Sequence, residues 1–258
     1  MELINQLPAF SLVFVRILSM FMIVPFFSGN QVPVPFRIGT AFFLAIIAYG
    51  GLNLENQFIP LGGEYIFYVV KEVLIGLMMG FLASMFFAAL QVAGQFIDVQ
   101  MGFFLANVID PQTGAQVPII GFLKYYLGIL IFLSLDIHHV IINAYIESFQ
   151  IIPVGHLFLD GRYAEFVTSA FISMFIIAVK ISAPVAFCLL LTNVALGITA
   201  RTVPQMNVFV IGMPIKIALG LLLIYLSLPT FLFMLDLLFV EMAESIYIMI
   251  NIIANSRP

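Results

Sequence analysis

Of the 258 residues, 63% are hydrophobic and only 9% are charged, and the mean hydropathy is +1.18. Soluble domains carry roughly 25% charged residues, so the balance excludes a soluble protein and reads as an integral membrane protein. A net charge of −4 argues against nucleic-acid or anionic-lipid partners. The single cysteine, Cys188, excludes an intramolecular disulfide and reads as a small buried hydrophobe.

The N-terminal stretch Met1 to Phe27 lacks a basic leader and an A-x-A-like cleavage site, and Arg16 interrupts its apolar part, so it is expected to remain in the mature chain. Taking about 20 residues as the length needed to cross a bilayer, spans are predicted near 8–27, 38–54, 66–90, 122–146, 167–199 and 207–235. A further apolar segment, 237–254, carries Glu241 and Glu244 and continues the last helix. The expected fold is an all-α integral membrane protein of roughly six to seven long, partly broken hydrophobic helices. Proline and glycine gather in the connectors, at Gly29 to Arg37, Asn53 to Gly63, Gly94 to Gly121, Gln150 to Gly161 and Arg201 to Pro204. If every segment crosses, alternate connectors hold Arg37, Lys124 and Arg201. The positive-inside rule then places these in the cytoplasm and both termini outside.

The stretch Gly94 to Gly121 is the most unusual. It holds Gln95, Asp98, Gln100, Asn107, Asp110, Gln112, Thr113 and Gln116, and Gly102, Gly114, Pro111 and Pro118 keep it from being one continuous helix. Irregular backbone at membrane depth survives only where protein buries it or water lines it. Two readings stand: a segment that lines or closes a passage, and an ordinary loop outside the membrane. Gln91, Gln95, Asp98 and Gly102 recur at i, i+4, i+7 and i+11 and form a polar stripe leading into it, suited to a water-facing wall or to interhelical hydrogen bonds.

Two charges fall inside predicted spans. Arg16 is near the centre of the first, and Lys180 lies well inside the fifth, four residues before Pro184, which removes the hydrogen bond to the Lys180 carbonyl. Intramembrane charges are functional candidates; the structural alternative pairs each with a carbonyl or acid of a neighbouring subunit. Gly76 and Gly80 form a GxxxG pair that permits close helix approach. His138 and His139 are adjacent, a spacing that diverges on a helix, and they read as a span-end pair rather than metal ligands. The 28 Phe and 13 Met make compliant apolar contact surfaces, and apolar constrictions can close a pore by excluding water. No hydrolase, metal or phosphate-loop spacing is present, so neither catalysis nor a cofactor is expected.

The run Arg201-Thr202-Val203-Pro204-Gln205-Met206-Asn207-Val208-Phe209-Val210-Ile211-Gly212-Met213-Pro214-Ile215-Lys216 resembles the signature of the FliR family of flagellar export proteins, which shares much of it with the SctT proteins of injectisomes. Pro25, Pro35 and Arg37 resemble the family's first connector. Gly94-Gln95-Phe96-Ile97-Asp98-Val99-Gln100-Met101-Gly102 and Asp110-Pro111 resemble its central segment, so the resemblance covers essentially the whole chain. It implies a subunit of the flagellar type III export gate in the bacterial inner membrane and flagellar basal body. The implied partners are FliP- and FliQ-like subunits and an FlhB-like protein, with unfolded flagellar proteins as cargo. It also implies a FliP-like part, about 1–166, followed by a FliQ-like hairpin, about 167–258. Residues about 106–121 match a loop that plugs the pore, which makes Asn107, Asp110, Pro111, Gln112, Gln116 and Pro118 plug positions. Arg201, Pro204, Gln205, Asn207 and Lys216 match a cytoplasm-facing turn. The equivalent injectisome subunit is the near alternative. A stand-alone secondary transporter with a site at Arg16, Lys180 and the broken centre is the distant one, and it lacks the second, symmetry-related break such proteins show.

Overall fold

Backbone N–H and C=O groups facing lipid must be satisfied within their own segment, and a helix does this with local bonds alone. In the computed structural model, described for residues 2–29, 32–52, 62–103, 118–158, 160–205 and 207–256, every regular element is a helix. In chain order these are α1 (Glu2–Ile23), α2 (Pro25–Ser28), α3 (Val34–Gly51), α4 (Glu64–Met101), α5 (Ile119–Ser134), α6 (Ile137–Ile151), α7 (Gly161–Thr202), α8 (Val208–Leu226) and α9 (Leu228–Asn255). Five are long and apolar enough to cross a membrane, and six spans result if α5 and α6 form one broken span. The all-α membrane architecture expected from composition is what the chain adopts.

Three boundaries differ from expectation, each for a local reason. The span predicted at 122–146 is interrupted between Ser134 and Ile137, where Asp136 takes the left-handed conformation (φ 56°, ψ 21°). Asp tolerates that region better than most residues, so neither Gly nor Pro announces the break. The span predicted at 207–235 ends at Leu226, because Pro229 in the first turn of α9 has no N–H to continue the ladder. The segment 237–254 then belongs to a single helix, α9, with Glu241 and Glu244 inside it. Lys124, expected in a connector, lies in α5; only 3% of it is exposed, and its ammonium stands 4.1 Å from the centre of the Phe231 ring. Arg37 is on the first turn of α3 and donates to the carbonyls of Val32 and Gly29, tying the connector to the helix it precedes.

The helices sort into two compact units that are discontinuous in sequence. One comprises Met1–Met85, Leu133–Phe171 and Val240–Pro258; the other comprises Phe86–Phe132 and Ile172–Phe239. In the first unit α1 packs on α3 through edge-to-face rings, Phe10 on Phe42 and Tyr49. It meets α4 at the glycine pair: a Cβ on Gly76 would overlap the Arg16 carbonyl and the Ser19 hydroxyl, and one on Gly80 would come within 3.2 Å of the Met20 carbonyl. The GxxxG motif is therefore a helix-contact face within the chain. The Tyr145 hydroxyl of α6 donates to the Gly76 carbonyl at 3.3 Å. Ahead of α7, Asp160 accepts from Arg162, whose guanidinium holds the carboxyl below its usual range.

In the second unit Phe87, Phe132 and Phe239 form an aromatic cluster with centroids 5.2–5.9 Å apart. Leu90 fills the space left by the missing side chain of Gly128. A further cluster joins Ile97, Met101, Ile120, Val185, Leu189 and Ile224, with Gly220 making room for Met101. Between α4 and α7 the Asn193 amide donates to Gln100 Oε1 at 3.0 Å.

The contact at Gly76 predicts that Gly76→Ala lowers the melting temperature of the detergent-solubilised protein. The cost is on the order of 1–3 kcal/mol, because the added methyl meets backbone that cannot rotate away. Gly39→Ala, where a Cβ meets nothing within 4 Å, should be neutral or stabilising by up to about 1 kcal/mol.

Candidate functional site: the base of the central loop

Helix α4 stops where a side chain would be strained. Gly102 adopts φ +88°, and its N–H donates to the carbonyls of Asp98 (3.1 Å) and Val99 (3.2 Å), a glycine termination of the left-handed kind. The next helix, α5, begins after Pro118, whose carbonyl accepts from Phe122 N at 2.9 Å. A helix start leaves its first N–H groups without intrahelical partners. Here Asp98 supplies them from α4: Oδ1 accepts from Ile120 N at 3.0 Å and Oδ2 from Gly121 N at 3.1 Å. Its carboxylate also sits at the positive end of the α5 dipole.

This reach is possible because α4 and α5 touch backbone to backbone. A Cβ on Gly94 would overlap the backbone of Gly121, and one on Gly121 would crowd Pro118 and the Gln91 carbonyl at 3.0–3.1 Å. Both ends of the segment between Phe103 and Pro118 are thus fastened at one place. Lys216 stands beside the upstream end, with its Nζ 3.8 Å from where a Cβ on Gly102 would be. A cation there complements the carbonyl end of α4.

The candidates read from sequence fall as follows. Asn107, Asp110, Pro111, Gln112 and Gln116 lie outside the described residues, while Pro118 is half-buried at the base of the loop. Within the polar stripe Asp98 is buried, Gln91 half-buried and Gln95 exposed, and Gly102 ends the helix. Arg201, Pro204, Gln205 and Asn207 are exposed, and Asn207 caps α8 by accepting from Val210 N. Lys216 is set further along, within α8 and close to Gly102.

Arg16 is fully buried, but its partner is inside the chain rather than on a neighbouring subunit. Nε donates to Glu72 Oε2 at 2.5 Å and Nη2 to Oε1 at 3.1 Å. The guanidinium also reaches Ser148 Oγ at 3.3 Å and the Ile152 carbonyl at 3.4 Å, and it stacks 4.1 Å from the centre of the Phe149 ring. Glu72 accepts a further bond from Gly155 N at 2.7 Å, where φ is +78°. The node joins α1, α4, α6 and the turn after α6. With its donors engaged, Arg16 is not free to hold a substrate, which removes one pillar of the transporter reading. Glu72 was not singled out from sequence; the signal was an acid inside an otherwise apolar run, adjacent to Lys71. Lys180, in contrast, is exposed.

The two histidines do not diverge as the adjacent spacing predicts. They follow the left-handed Asp136, and their rings lie 4.1 Å apart; His139 Nδ1 is 3.6 Å from Asp136 Oδ1. One ligand atom from each of Asp136, His138 and His139 falls within 4.8 Å of the others, a grouping of three potential metal ligands among the described residues.

Helices of spanning length, a saturated internal ion pair and a carboxylate that joins the end of α4 to the start of α5 define a polytopic membrane protein. The comparisons specify which. Residues 7–242 match the family described as bacterial export proteins, family 1. The chain is 46% identical over 226 residues to the flagellar biosynthetic protein FliR of Bacillus subtilis, covering 86% of this chain and 87% of the relative. It is 32% identical over 214 residues to FliR of Aquifex aeolicus, covering 83% of each. It is 28% identical over 226 residues to the secretion system apparatus protein SsaT of Salmonella typhimurium, covering 86% and 87%. The chain belongs to bacterial export protein family 1.

For the buried node, Arg16→Met or Glu72→Met alone leaves an unpaired buried charge and should cost about 3–5 kcal/mol. The double substitution should cost clearly less than the sum of the two. Thermal unfolding of the three variants in one detergent measures this coupling.

Proposed function

We propose that this chain is a subunit of the flagellar type III protein export gate. It joins FliP- and FliQ-like proteins and an FlhB-like protein in the bacterial inner membrane, at the base of the flagellum. In this reading residues about 1–166 are a FliP-like part and about 167–258 a FliQ-like hairpin, and the segment about 106–121 plugs the entry pore for unfolded flagellar proteins. The chain is a structural component of the export apparatus, with no chemistry assigned to any side chain. The 46% identity to FliR of Bacillus subtilis, against 28% to SsaT, supports the flagellar branch over the injectisome.

The observation that carries the plug is the pair of bonds that Ile120 N and Gly121 N donate to the Asp98 carboxylate. A conduit for unfolded polypeptide needs a wide path without side-chain specificity, yet it must hold back ions when idle. A polar loop with both ends fixed to helices can leave the path without melting them, and its polar groups can be wetted by the lumen.

The test is co-expression with FliP- and FliQ-like partners, followed by native mass spectrometry in detergent and conductance in planar bilayers. One copy in a larger hetero-oligomer is expected. Deleting Asn107 to Gln116 should leave the mass of the complex otherwise unchanged and raise idle ion conductance. Asp98→Ala, which frees the base and leaves two N–H groups unpaired at about 1–3 kcal/mol each, should raise it less. Unchanged conductance in an assembled complex sinks the plug. A stable monomer or homodimer that ignores those partners sinks the gate assignment.

A further inference from the structure

Between Glu165 and Arg201 the only charged residue is Lys180. This run lies within the continuous helix α7, and Lys180 is exposed on it. Ile172, Ile176, Phe187, Leu191, Val194 and Ile198 share its face at helical spacing, and all are exposed, Phe187 by 61% and Ile198 by 64%.

A lipid bilayer cannot cover this face. The run is about 52 Å long at 1.5 Å per residue, against a hydrocarbon thickness of about 30 Å. Centring the bilayer on Lys180 places an ammonium in hydrocarbon, too deep for its side chain to reach either surface. Moving the bilayer so that Lys180 lies at one edge returns either Ile172 and Ile176 or Leu191, Val194 and Ile198 to water. Every placement leaves one part of the face in the wrong solvent. Protein cover resolves both: apolar side chains meet the stripe, and an acceptor meets the lysine.

We propose that this face of α7 is a subunit interface whose occupant is an apolar helix of a different membrane protein, carrying a carboxylate opposite Lys180. The proposal rests on the export-gate reading and adds to it which face docks and what chemistry recognises it. The carboxylate neutralises the ammonium in a water-poor contact and fixes the axial register of the two helices, because an apolar stripe alone permits sliding. The chain offers one exposed acid of its own in an apolar stretch of the same unit, Asp236 on α9; it makes a second copy of this chain the rival occupant.

A photo-crosslinking residue placed at Ile176, and separately at Phe187, in the chain co-expressed with its FliP- and FliQ-like partners tests this. Both positions should cross-link to one helix of a partner protein with an Asp or Glu between the two cross-linked sites. Lys180→Met should cut the yield at least tenfold, and Lys180→Asp should be rescued when that acid is changed to Lys. Cross-links to lipid or detergent only, or a partner helix without an acid, overturn the proposal. So does rescue of Lys180→Asp by Asp236→Lys in the same chain, which identifies a second copy as the occupant. If the hetero-oligomer forms by mass while Lys180→Met assembles at the native yield and neither position cross-links, this inference alone fails. If no hetero-oligomer forms with the native chain, the export-gate reading fails with it.

Discussion

Two hydrogen bonds from one carboxylate organise the centre of this protein. Asp98, near the end of α4, accepts from the first free N–H groups of α5. The bonds require the helix axes to lie closer than side chains normally permit, and Gly94 and Gly121 supply that closeness. The contact in turn dictates where α4 must stop and where α5 must start, so Gly102 and Pro118 mark the two ends of one closed segment. In this export-family protein α4 and α5 are therefore held together at one point.

The charged residues show how an apolar protein disposes of ions. Arg16 is matched inside the chain by Glu72, Ser148 and a carbonyl, with Glu72 completed by Gly155. Lys124 lies against the π-face of Phe231. Lys216 sits beside Gly102 at the carbonyl end of α4. These three are resolved by neighbours within one compact unit each. Lys180 is exposed and faces outward along an apolar helix. The contrast separates three charges held within the chain from one that stands exposed.

Much of the helical plan was legible because membrane helices announce themselves by length and composition, and Gly and Pro marked most connectors. The breaks at Asp136 and Ser227 were not, since one rests on a left-handed Asp and the other on a proline that looks like an ordinary second residue of a helix. The polar stripe was visible as a spacing, but a spacing cannot say that Asp98 turns toward the backbone of another helix while Gln95 stays exposed. Gly76 and Gly80 read as a contact motif and are one, though the helix they receive, α1, is more than fifty residues away in sequence. Arg16 was conspicuous and Glu72 was not, because an ion pair is a property of two positions and the second lay beside Lys71, which offered a nearer partner for the acid. Residues 104–117 bear the polar groups that drew attention to the centre; they lie outside the described residues, and physics alone left two readings of them open.

The pairing of Arg16 carries a consequence for how the chain is made. Its acid partner is 56 residues downstream. At synthesis rates of about 5–20 residues per second, Arg16 is made roughly 3–11 s before Glu72 exists to meet it, and Ser148 and Ile152 arrive later still. During that interval the guanidinium must wait in water, in the headgroup region or against the insertion machinery. Insertion of α1 at its final depth is therefore a late event in biogenesis, completed when α4 enters beside it.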